Sequence, residues 1–573
     1  MLSRLLQQIF DRPDPAQAAQ KHLDQGRQCL AAGKQEEGRL HLRAAFELEP
    51  DSASVLEALG LALGMAGELD LARQAAGGAL ARNPRSLAAR LCLGNVLTRE
   101  ERYDEAIGIY REALQIEADN AFIHYNLAIA LMNRGDTKSA LDHYRRTAEL
   151  VPDCPDEYGS ILFLLNASPE AGDEEIAAEH IRWGERFADP LMRGTAHRNT
   201  ADPERRLRVG YVSGDFAGHA ASLYIEPILA HHDRERFEVA CFVNAPEVPP
   251  EPAGQAARWH RIDALSDEEA AQLVEAEGID ILVDLSGHTR RNRLLVFARK
   301  PAPVQMTLLG YPNTTGLAAM DYRISDVHAD PPGLTEHLHR ERLLRLPRSL
   351  WCYAPSPLMP PVSEAPCTAN GYVTLGSLNA AYKLNEGTLD AWVAILRAVP
   401  EAHMLLATIP KGEAQSRLRA YFASRGIGEG RIEIVDRMQV SDYWRLLSRV
   451  DLALDPFPCN GGSTTCESLW MGVPTLTLAG ATFRERAGLS LLTNAGLTEF
   501  ITHDLEAYVA AAVALARDPA RLAGVRAGLR ERMRVSPLLD ARGYARDLES
   551  LYRAAWKTWC ADRGSPRQAG TSR

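Results

Sequence analysis

A repeat with a period of 34 residues dominates the first 150 residues of this 573-residue chain. A leucine before a small residue, two alanines and a proline each recur at this step. The positions are Leu59, Leu93 and Leu127; Ala72, Ala106 and Ala140; Ala79 and Ala113; Pro50, Pro84 and Pro152; with a weaker copy at Gly26, Gly38 and Ala45. Four copies in phase argue against a generic alanine-rich bundle. A unit of this length cannot bury its apolar face alone, so the period predicts stacked helix pairs.

The pattern resembles the tetratricopeptide repeat (TPR) consensus. In that repeat, small residues let two antiparallel helices approach closely, and bulky residues such as Tyr110 and Tyr144 fill the gap beside them. The proline ends the second helix because it cannot continue the hydrogen-bond ladder. We therefore predict a TPR superhelix over residues 1–155. The concave surface of such an array is expected to hold peptides or partner proteins.

Bulk composition excludes several classes of protein. Apolar residues make up 46% and charged residues 24%, as in ordinary globular proteins, and the net charge of -11 argues against non-specific nucleic-acid binding. The nine cysteines are scattered without a CxxC pair, which argues against a zinc site and a disulfide framework. Since no run of about 18 apolar residues occurs, we expect no membrane span and a cytoplasmic location.

After Pro152 the register of the repeat is lost, and the pattern changes twice. Residues 156–205 are typical of short helices interrupted by Pro169, Gly172 and Pro190, and we expect them to form a helical linker. From residue 206, apolar strand-like runs alternate with amphipathic stretches, which predicts parallel sheets with helices on both faces. The predicted strands lie at 208–212, 238–243, 279–285, 304–309, 373–375, 404–407, 432–435, 452–454 and 475–478.

These strands predict two doubly wound lobes, at residues 206–365 and 366–560. A cleft between two such lobes is a place where a nucleotide can bind at the strand carboxyl ends. The tail at 561–573 is rich in Gly, Ser, Pro and Arg, and we expect it to be disordered. At this level the pattern fits a glycosyltransferase, a two-lobed epimerase or a binding protein equally well.

The strongest local signal is residues 451–474, with the sequence DLALDPFPCNGGSTTCESLWMGVP. A buried strand runs into a Gly-Gly turn and then into a helix that begins with Ser and Thr. Free backbone N–H groups and hydroxyls at a helix N-terminus can bind a diphosphate. Glu467 follows Ser463 by four residues, on the same helix face, where its carboxylate can accept ribose hydroxyls. The alternative interpretation is a well-capped helix with a surface glutamate.

The same run resembles the donor-binding loop of the O-GlcNAc transferase and SPINDLY family of protein O-glycosyltransferases. Further motifs carry this resemblance. They are GYVSGDFAGH at 210–219, RKPAPVQ at 299–305, LGYPNTTG at 309–316, MDY at 320–322 and NAAYK at 379–383. The resemblance covers nearly the whole chain and implies a GT-B-type catalytic region of two Rossmann-like lobes. It also implies inverting transfer of one sugar from a nucleotide sugar to Ser or Thr of protein acceptors.

The resemblance assigns roles position by position. His219 matches a histidine at the mouth of the active site, and Lys383 matches the lysine that stabilises the diphosphate leaving group. The remaining matches are donor-binding residues: Thr289, Gly310 and Pro312 at the sugar; Gly462, Ser463 and Thr464 at the phosphates; Asn379 beside Lys383; Glu467 at the ribose; and Tyr443 at the base. Because no DxD motif stands out, we expect no metal ion and no other cofactor in catalysis.

The donor stays open at this point. Gly462, Ser463, Thr464 and Glu467 replace the His-Thr-Thr and aspartate of the animal enzymes, and Tyr443 replaces a stacking histidine, although it can still stack on a base. UDP-GlcNAc is the favoured donor. GDP-fucose is the alternative, because two motifs, GYPNTTG at 310–316 and TCESL at 465–469, look more like the SPINDLY branch, whose plant member uses GDP-fucose. A hypothesis of another class is a catalytically inactive TPR adaptor.

Overall fold

The computed structural model describes residues 15–31, 34–66, 68–193, 197–216, 219–246 and 257–564. The chain divides into two compact units. The first extends to Pro152 and includes Pro410–Gln415, and the second comprises the rest of the chain. Across the described residues, no helix is both long enough and apolar enough to span a membrane.

The described part of the first unit consists of eight helices. They are α1 (Pro15–Ala31), α2 (Gln35–Leu48), α3 (Ala53–Ala66), α4 (Leu69–Arg82), α5 (Leu87–Arg99), α6 (Tyr103–Ile116), α7 (Ala121–Arg134) and α8 (Thr137–Leu150). Each helix packs against the next one along the chain. The first helix of two successive repeats begins with the same device, because the side chains of Ser86 and Asn120, 34 residues apart, each accept a backbone N–H of the first turn.

Small residues set the spacing of these helices. Ala72, Ala106 and Ala140 are fully buried. At Gly94 a Cβ atom would lie 2.5 Å from the ring of Tyr110, so only glycine leaves room for that ring. The predicted TPR array is thus confirmed, including the filling of the gap by a bulky side chain.

The second unit begins with helices α9 (Pro155–Leu165) and α10 (Asp173–Trp183), and the rest of it is an α/β region. Its strands and helices follow one another in the order β1 (Leu207–Ser213), α11 (Ser222–His231), β2 (Phe237–Val243), β3 (Ala257–Arg261), α12 (Asp267–Ala276), β4 (Ile281–Asp284), α13 (Leu294–Ala298), β5 (Val304–Thr307), β6 (Tyr322–Asp326), β7 (Arg342–Leu346), α14 (Pro366–Asn370), β8 (Thr374–Ser377), α15 (Glu386–Ala398), β9 (His403–Leu406), α16 (Glu413–Ser424), β10 (Ile432–Ile434), α17 (Val440–Leu447), β11 (Leu452–Leu454), α18 (Ser463–Trp470), β12 (Thr475–Leu478), α19 (Phe483–Asn494), β13 (Ile501–Thr502), α20 (Leu505–Ala516), α21 (Pro519–Val535) and α22 (Ala541–Gly564).

The strands form two parallel sheets with the same internal order. The first sheet runs β3-β2-β1-β4-β5-β6-β7 and the second runs β10-β9-β8-β11-β12-β13. In each sheet the chain leaves the first strand toward one edge and returns to its other side, so a switch point lies between β1 and β4 and between β8 and β11. Ligands of such sheets bind at the carboxyl ends of the strands beside the switch point.

The two-lobed α/β fold is confirmed, and all nine predicted strands are present. Strands β3, β6, β7 and β13 were not predicted. β7 contains two arginines, Arg342 and Arg345, and exposes its first residue, as an edge strand can, and β13 has only two residues. β6 is fully buried despite Arg323, because that guanidinium donates to the carbonyls of Asn313 and Tyr311. A buried polar side chain whose hydrogen bonds are satisfied interrupts the apolar run by which a buried strand is predicted.

Two of the expected boundaries differ from the structure. The segment expected to be a linker contributes Leu162, Trp183 and Ala188 to a core cluster shared with the first sheet. At the other end of the chain, α22 returns to the first sheet, where Leu548 and Trp556 join the core around β1. Both segments are amphipathic helices that bury an apolar face against a partner distant in the sequence, which local patterns do not reveal.

The last helix also continues beyond the boundary that we expected from the sequence. We expected disorder from residue 561, but α22 continues to Gly564. Trp559 stacks on Trp556 at 4.6 Å between ring centroids, and the guanidinium of Arg563 lies 4.9 Å over the Trp559 ring. This stack extends the helix. Residues 565–573 of the expected tail lie outside the described part of the chain.

Candidate active site

A cleft of about 410 Å³ opens in the second unit, where loops from both sheets meet. Its walls come from the segments that follow β1, β4, β5, β8 and β11, the strands at and beside the two switch points. Eight of the eleven predicted residues line it together. They are His219, Gly310, Pro312, Asn379, Lys383, Gly462, Ser463 and Thr464. The structure thus brings most of the predicted site residues into one cavity.

The loop between β11 and α18 is held by a buried carboxylate. Asp455 follows β11 directly and accepts the N–H of Gly461 at 2.7 Å and the hydroxyl of Thr477 at 2.9 Å. Burial raises the pKa of the Asp455 carboxyl to about 7, against the opposing effects of the Gly461 N–H, Lys383 and Thr477. A Cβ at Gly461 would lie 2.4 Å from the Thr464 hydroxyl, so this loop conformation requires glycine.

Helix α18 begins at the cleft wall, and its N-terminus faces the cavity. The first amides of a helix have no acceptor within the helix, and they carry partial positive charge. The hydroxyls of Ser463 and Thr464 stand beside them, and the Thr464 hydroxyl donates to Asn379 Oδ1 at 3.2 Å. A Cβ at Gly462 would lie 2.9 Å from the ring of Trp351, so a tryptophan of the first lobe packs on this turn. The arrangement can bind a phosphate group.

Lys383 supplies a positive charge beside this helix. Its ammonium donates to the backbone carbonyl of Asn460 at 2.7 Å, which fixes it against the loop that leads into α18. Burial lowers the pKa of the Lys383 ammonium, but the effects of Cys459, Tyr382 and Asp455 are together larger, and the net pKa lies above its usual value. The side chain is therefore protonated at neutral pH.

The opposite wall belongs to the first lobe. Leu309 has a φ of 61°, and a Cβ at Gly310 would lie 2.0 Å from the carbonyl oxygen of Leu285, so the chain passes too close to the end of β4 for any other residue. His219 stands at the rim with 59% of its side chain exposed, and its Nδ1 accepts the N–H of Ala221 at 3.2 Å. Its motif neighbours Ala217 and Gly218 lie outside the described residues.

Three predicted residues do not line the cleft. The Thr289 hydroxyl donates to the carbonyl of Ser286 at 2.9 Å and closes the turn after β4. Tyr443 packs into the core of the second lobe, because α17 turns its aromatic face inward, and it is not placed to stack on a base. Glu467 lies on α18, one turn after Ser463, and accepts the indole N–H of Trp444 at 3.1 Å; burial raises the pKa of its carboxyl.

Sequence reasoning missed a buried polar network on the first-lobe side of the cleft. The hydroxyl of Tyr311 accepts the side-chain N–H of Asn166 at 2.9 Å and lies 2.7 Å from His180 Nε2. Arg484 of α19 donates to the carbonyls of Asn166 and Ser168. Asn166 and Arg484 both line the cleft. No local pattern links partners more than 300 residues apart.

Asp455 and Trp351 were missed as well. A signal for Asp455 existed, because an aspartate directly after an apolar strand at a switch point is placed to hold the following loop. No local sequence signal pointed to Trp351.

Within the part of the chain that the structure describes, the group of three side chains with metal-ligand spacing lies in the repeats and not in this cleft.

Two doubly wound sheets in one unit, with a lysine facing a phosphate-binding helix N-terminus in the cleft, are typical of two-lobed glycosyltransferases that use nucleotide sugars. Comparison of the sequence with known protein families supports this class. The profile of glycosyl transferase family 41 matches residues 192–361 and 367–548, and tetratricopeptide repeat profiles match residues 58–121 and 97–162. The chain belongs to glycosyl transferase family 41, as its motifs indicated.

Individual relatives carry related names. The probable UDP-N-acetylglucosamine–peptide N-acetylglucosaminyltransferase SPINDLY of Petunia hybrida is 36% identical over 71% of this chain and 45% of its own length. The SEC protein of Arabidopsis thaliana, whose name gives the same probable activity, is 30% identical over 62% of this chain and 38% of its own. The chain spans less than half the length of these relatives. A structure of a Thermobaculum terrenum O-GlcNAc transferase mutant has a TM-score of 0.79 and 32% identity, covering 96% of this chain and 99% of that one.

Proposed function

We propose that the chain transfers a single sugar from a nucleotide diphosphate donor to Ser or Thr hydroxyls of proteins, with inversion at the anomeric carbon. The observation that carries the proposal is the position of Lys383. Its ammonium is fixed at 2.7 Å from the carbonyl of Asn460, in a cleft that also contains the N-terminus of α18. An adaptor protein has no need of such an arrangement.

The proposed chemistry is one displacement. The acceptor oxygen forms a bond to the anomeric carbon as the bond from that carbon to the β-phosphate oxygen breaks, and the nucleoside diphosphate leaves. Negative charge then grows on the β-phosphate. Lys383 and the first amides of α18 stabilise this charge more in the transition state than in the ground state. We assign His219, which lies at the rim of the cleft, to orient the acceptor hydroxyl and to take its proton.

We propose that this displacement needs no divalent cation. The cleft already provides a fixed ammonium at Lys383 and the positive end of α18, the two features that a cation would otherwise supply to the leaving group. Initial rates of transfer to a short peptide should therefore be the same in EDTA as in Mg²⁺. A rate that falls in EDTA and is restored by Mg²⁺ would contradict this part of the proposal.

UDP-GlcNAc is the donor that we propose first. The names of the SPINDLY and SEC relatives specify that nucleotide sugar, while the LGYPNTTG motif keeps GDP-fucose as the alternative. We assign Glu467 to the ribose hydroxyls, as its motif implies, and this assignment requires the carboxylate to turn toward the donor from its present contact with the indole N–H of Trp444. Since Tyr443 packs in the core, base recognition falls to the backbone of the segment before and within α17.

Protein acceptors are assigned to the repeats. A TPR array presents an extended surface that suits a peptide chain, and it precedes the catalytic unit in the sequence. Deletion of residues 1–150 should strongly reduce transfer to protein acceptors and spare nucleotide binding. Equal loss of both would mean that the array is needed for folding of the catalytic unit.

The decisive assay is mass spectrometry of acceptor proteins incubated with the full chain and either UDP-GlcNAc or GDP-fucose. A gain of one GlcNAc on Ser or Thr is expected, together with calorimetry in which UDP binds at least about tenfold tighter than GDP, a difference of about 1.4 kcal/mol. Fucose transfer and tighter GDP binding would move the chain to the alternative donor. No transfer and no binding of either nucleotide would favour the adaptor.

A further inference from the structure

Four side chains with metal-ligating chemistry converge in the first helix pair of the repeats, in the first unit of the chain. Ligand atoms of Cys29 on α1 and of Glu37 and His41 on α2 all lie within 4.8 Å of one another. On α1, His22 adds a fourth group, since its Nδ1 lies 3.0 Å from Nδ1 of His41. None of the features proposed above for catalysis uses these residues.

The repeat pattern itself brings them together. A Cβ at Gly26 would lie 2.7 Å from the side chain of Leu42, and one at Gly38 would lie 2.9 Å from that of Leu30, so α1 and α2 cross closely at these glycines. Residues four or seven positions apart share one face of a helix. Glu37 with His41, and His22 with Cys29, therefore present their side chains toward the same crossing.

The chemistry of this group selects among metal ions. Ca²⁺ and Mg²⁺ prefer sets made only of oxygen ligands, whereas a thiolate with imidazole and carboxylate is the ligand set of Zn²⁺. A thiolate and a carboxylate together also balance the charge of a divalent ion. Glu37 additionally lies 3.2 Å from Lys34 through Oε2, which leaves its second oxygen for a metal.

We propose that Cys29, Glu37 and His41 bind a zinc ion that ties α1 to α2. His22 lies behind the site, where contact with the His41 ring from the neighbouring helix orients that ligand. The proposed ligands are spaced along two helices and form no CxxC pair, so cysteine spacing alone does not predict them.

The chain contains its own control. Three repeat lengths further on, His124 and His143 form the same contact, with 2.8 Å between their Nδ1 atoms. At the positions equivalent to Cys29 and Glu37 this pair has Leu131 and Ser139. The histidine pair thus occurs in the first and the fourth copies of the repeat, and of these two only the first adds a thiol and a carboxylate to it.

The test uses the untagged full chain, stripped of metal with a chelator and then titrated with Zn²⁺ against a chromophoric competitor and with Co²⁺. We expect one Zn²⁺ per chain, and a sulfur-to-cobalt charge-transfer band in the near ultraviolet. Cys29→Ser and His41→Ala should lose the tight site, and His22→Ala should weaken it by about 10–100-fold. The matched control His143→Ala should bind as the wild type does.

Circular dichroism of each variant separates loss of a ligand from loss of the fold. Absence of tight Zn²⁺ binding by the wild type, or unchanged binding by a folded Cys29→Ser variant, would overturn the proposal. Loss of binding in His143→Ala would do so as well, because it would place the metal at the second histidine pair. None of these results bears on sugar transfer.

Discussion

Each lobe has a buried aspartate that holds the loop beside its switch point, but the two loops differ in the groups that they present. In each lobe an aspartate at the end of the strand beside the switch point accepts one glycine N–H from the following loop and one threonine hydroxyl from the next strand. The donors are Gly287 and Thr307 for Asp284, and Gly461 and Thr477 for Asp455. All four contacts measure 2.7–2.9 Å.

The loops that these aspartates hold are not equivalent. In the first lobe the loop ends at His288, which is buried, lies 2.8 Å from the carbonyl of Thr315, and has its pKa lowered to about 3 by burial. In the second lobe the loop leads to the N-terminus of α18 and to Lys383. The first-lobe loop therefore ends at the neutral ring of His288, whereas the second-lobe loop lies beside the positive charges of Lys383 and the α18 N-terminus. The shared fold thus provides a rigid loop twice, and the residues around each loop are the reason why we assign the diphosphate to the second lobe.

The largest expected effect contrasts two half-buried lysines, one in each of these lobes. Lys383→Met should reduce transfer at least about a hundredfold, because it removes charge stabilisation of the leaving group. Lys300 in the first lobe donates to the carbonyl of Ala319 and pairs with Asp321. Lys300→Met should lower the melting temperature and leave kcat of the folded protein nearly unchanged. Transfer by Lys383→Met within threefold of wild type would remove Lys383 from the chemistry.

Sequence patterns predicted the parts of this comparison that are local. The 34-residue period, the nine strands and the loop with Ser463 and Thr464 follow from short-range spacing, and the structure contains them. The pairing of Asp455 with Thr477 on the next strand, the inward turn of Tyr443 and the return of α22 to the first sheet depend on contacts between distant segments. The buried Arg323 shows why β6 was missed, since its charge is satisfied by carbonyls that sequence alone does not place nearby.

A second prediction concerns pH and the aspartate of the second lobe. Burial raises the pKa of Asp455 in the folded protein to about 7. The contribution of this carboxyl to the free energy of unfolding therefore falls by on the order of 4 kcal/mol as pH rises from about 4 to 7, and it is constant above pH 7. Asp455→Asn cannot ionise, so the loss of melting temperature over this range should be smaller in the variant. Melting temperatures of both proteins, measured from pH 4 to 7, test this prediction. An equal fall in the two proteins would contradict it, because the Asp455 carboxyl would then have an ordinary pKa.

The smallest effect contrasts two threonines in matching loops. Thr464 lines the cleft, where its hydroxyl donates to Asn379 Oδ1, whereas Thr289 does not line the cleft and its hydroxyl donates to the carbonyl of Ser286 at the turn after β4. Thr464→Val should weaken UDP binding by about 1 kcal/mol, roughly fivefold, and Thr289→Val should leave it unchanged. Calorimetry measures both. A larger loss of UDP affinity from Thr289→Val than from Thr464→Val would reverse the proposed assignment of the lobes.

A crystal structure of the chain with UDP tests most directly whether the second lobe binds the diphosphate. The β-phosphate should lie within about 3 Å of Lys383 Nζ and of the first amides of α18, with the hydroxyls of Ser463 and Thr464 beside it. The loop after Asp284 should make no phosphate contact. A diphosphate bound at the first-lobe loop, or one separated from Lys383 by the width of the cleft, would contradict the account.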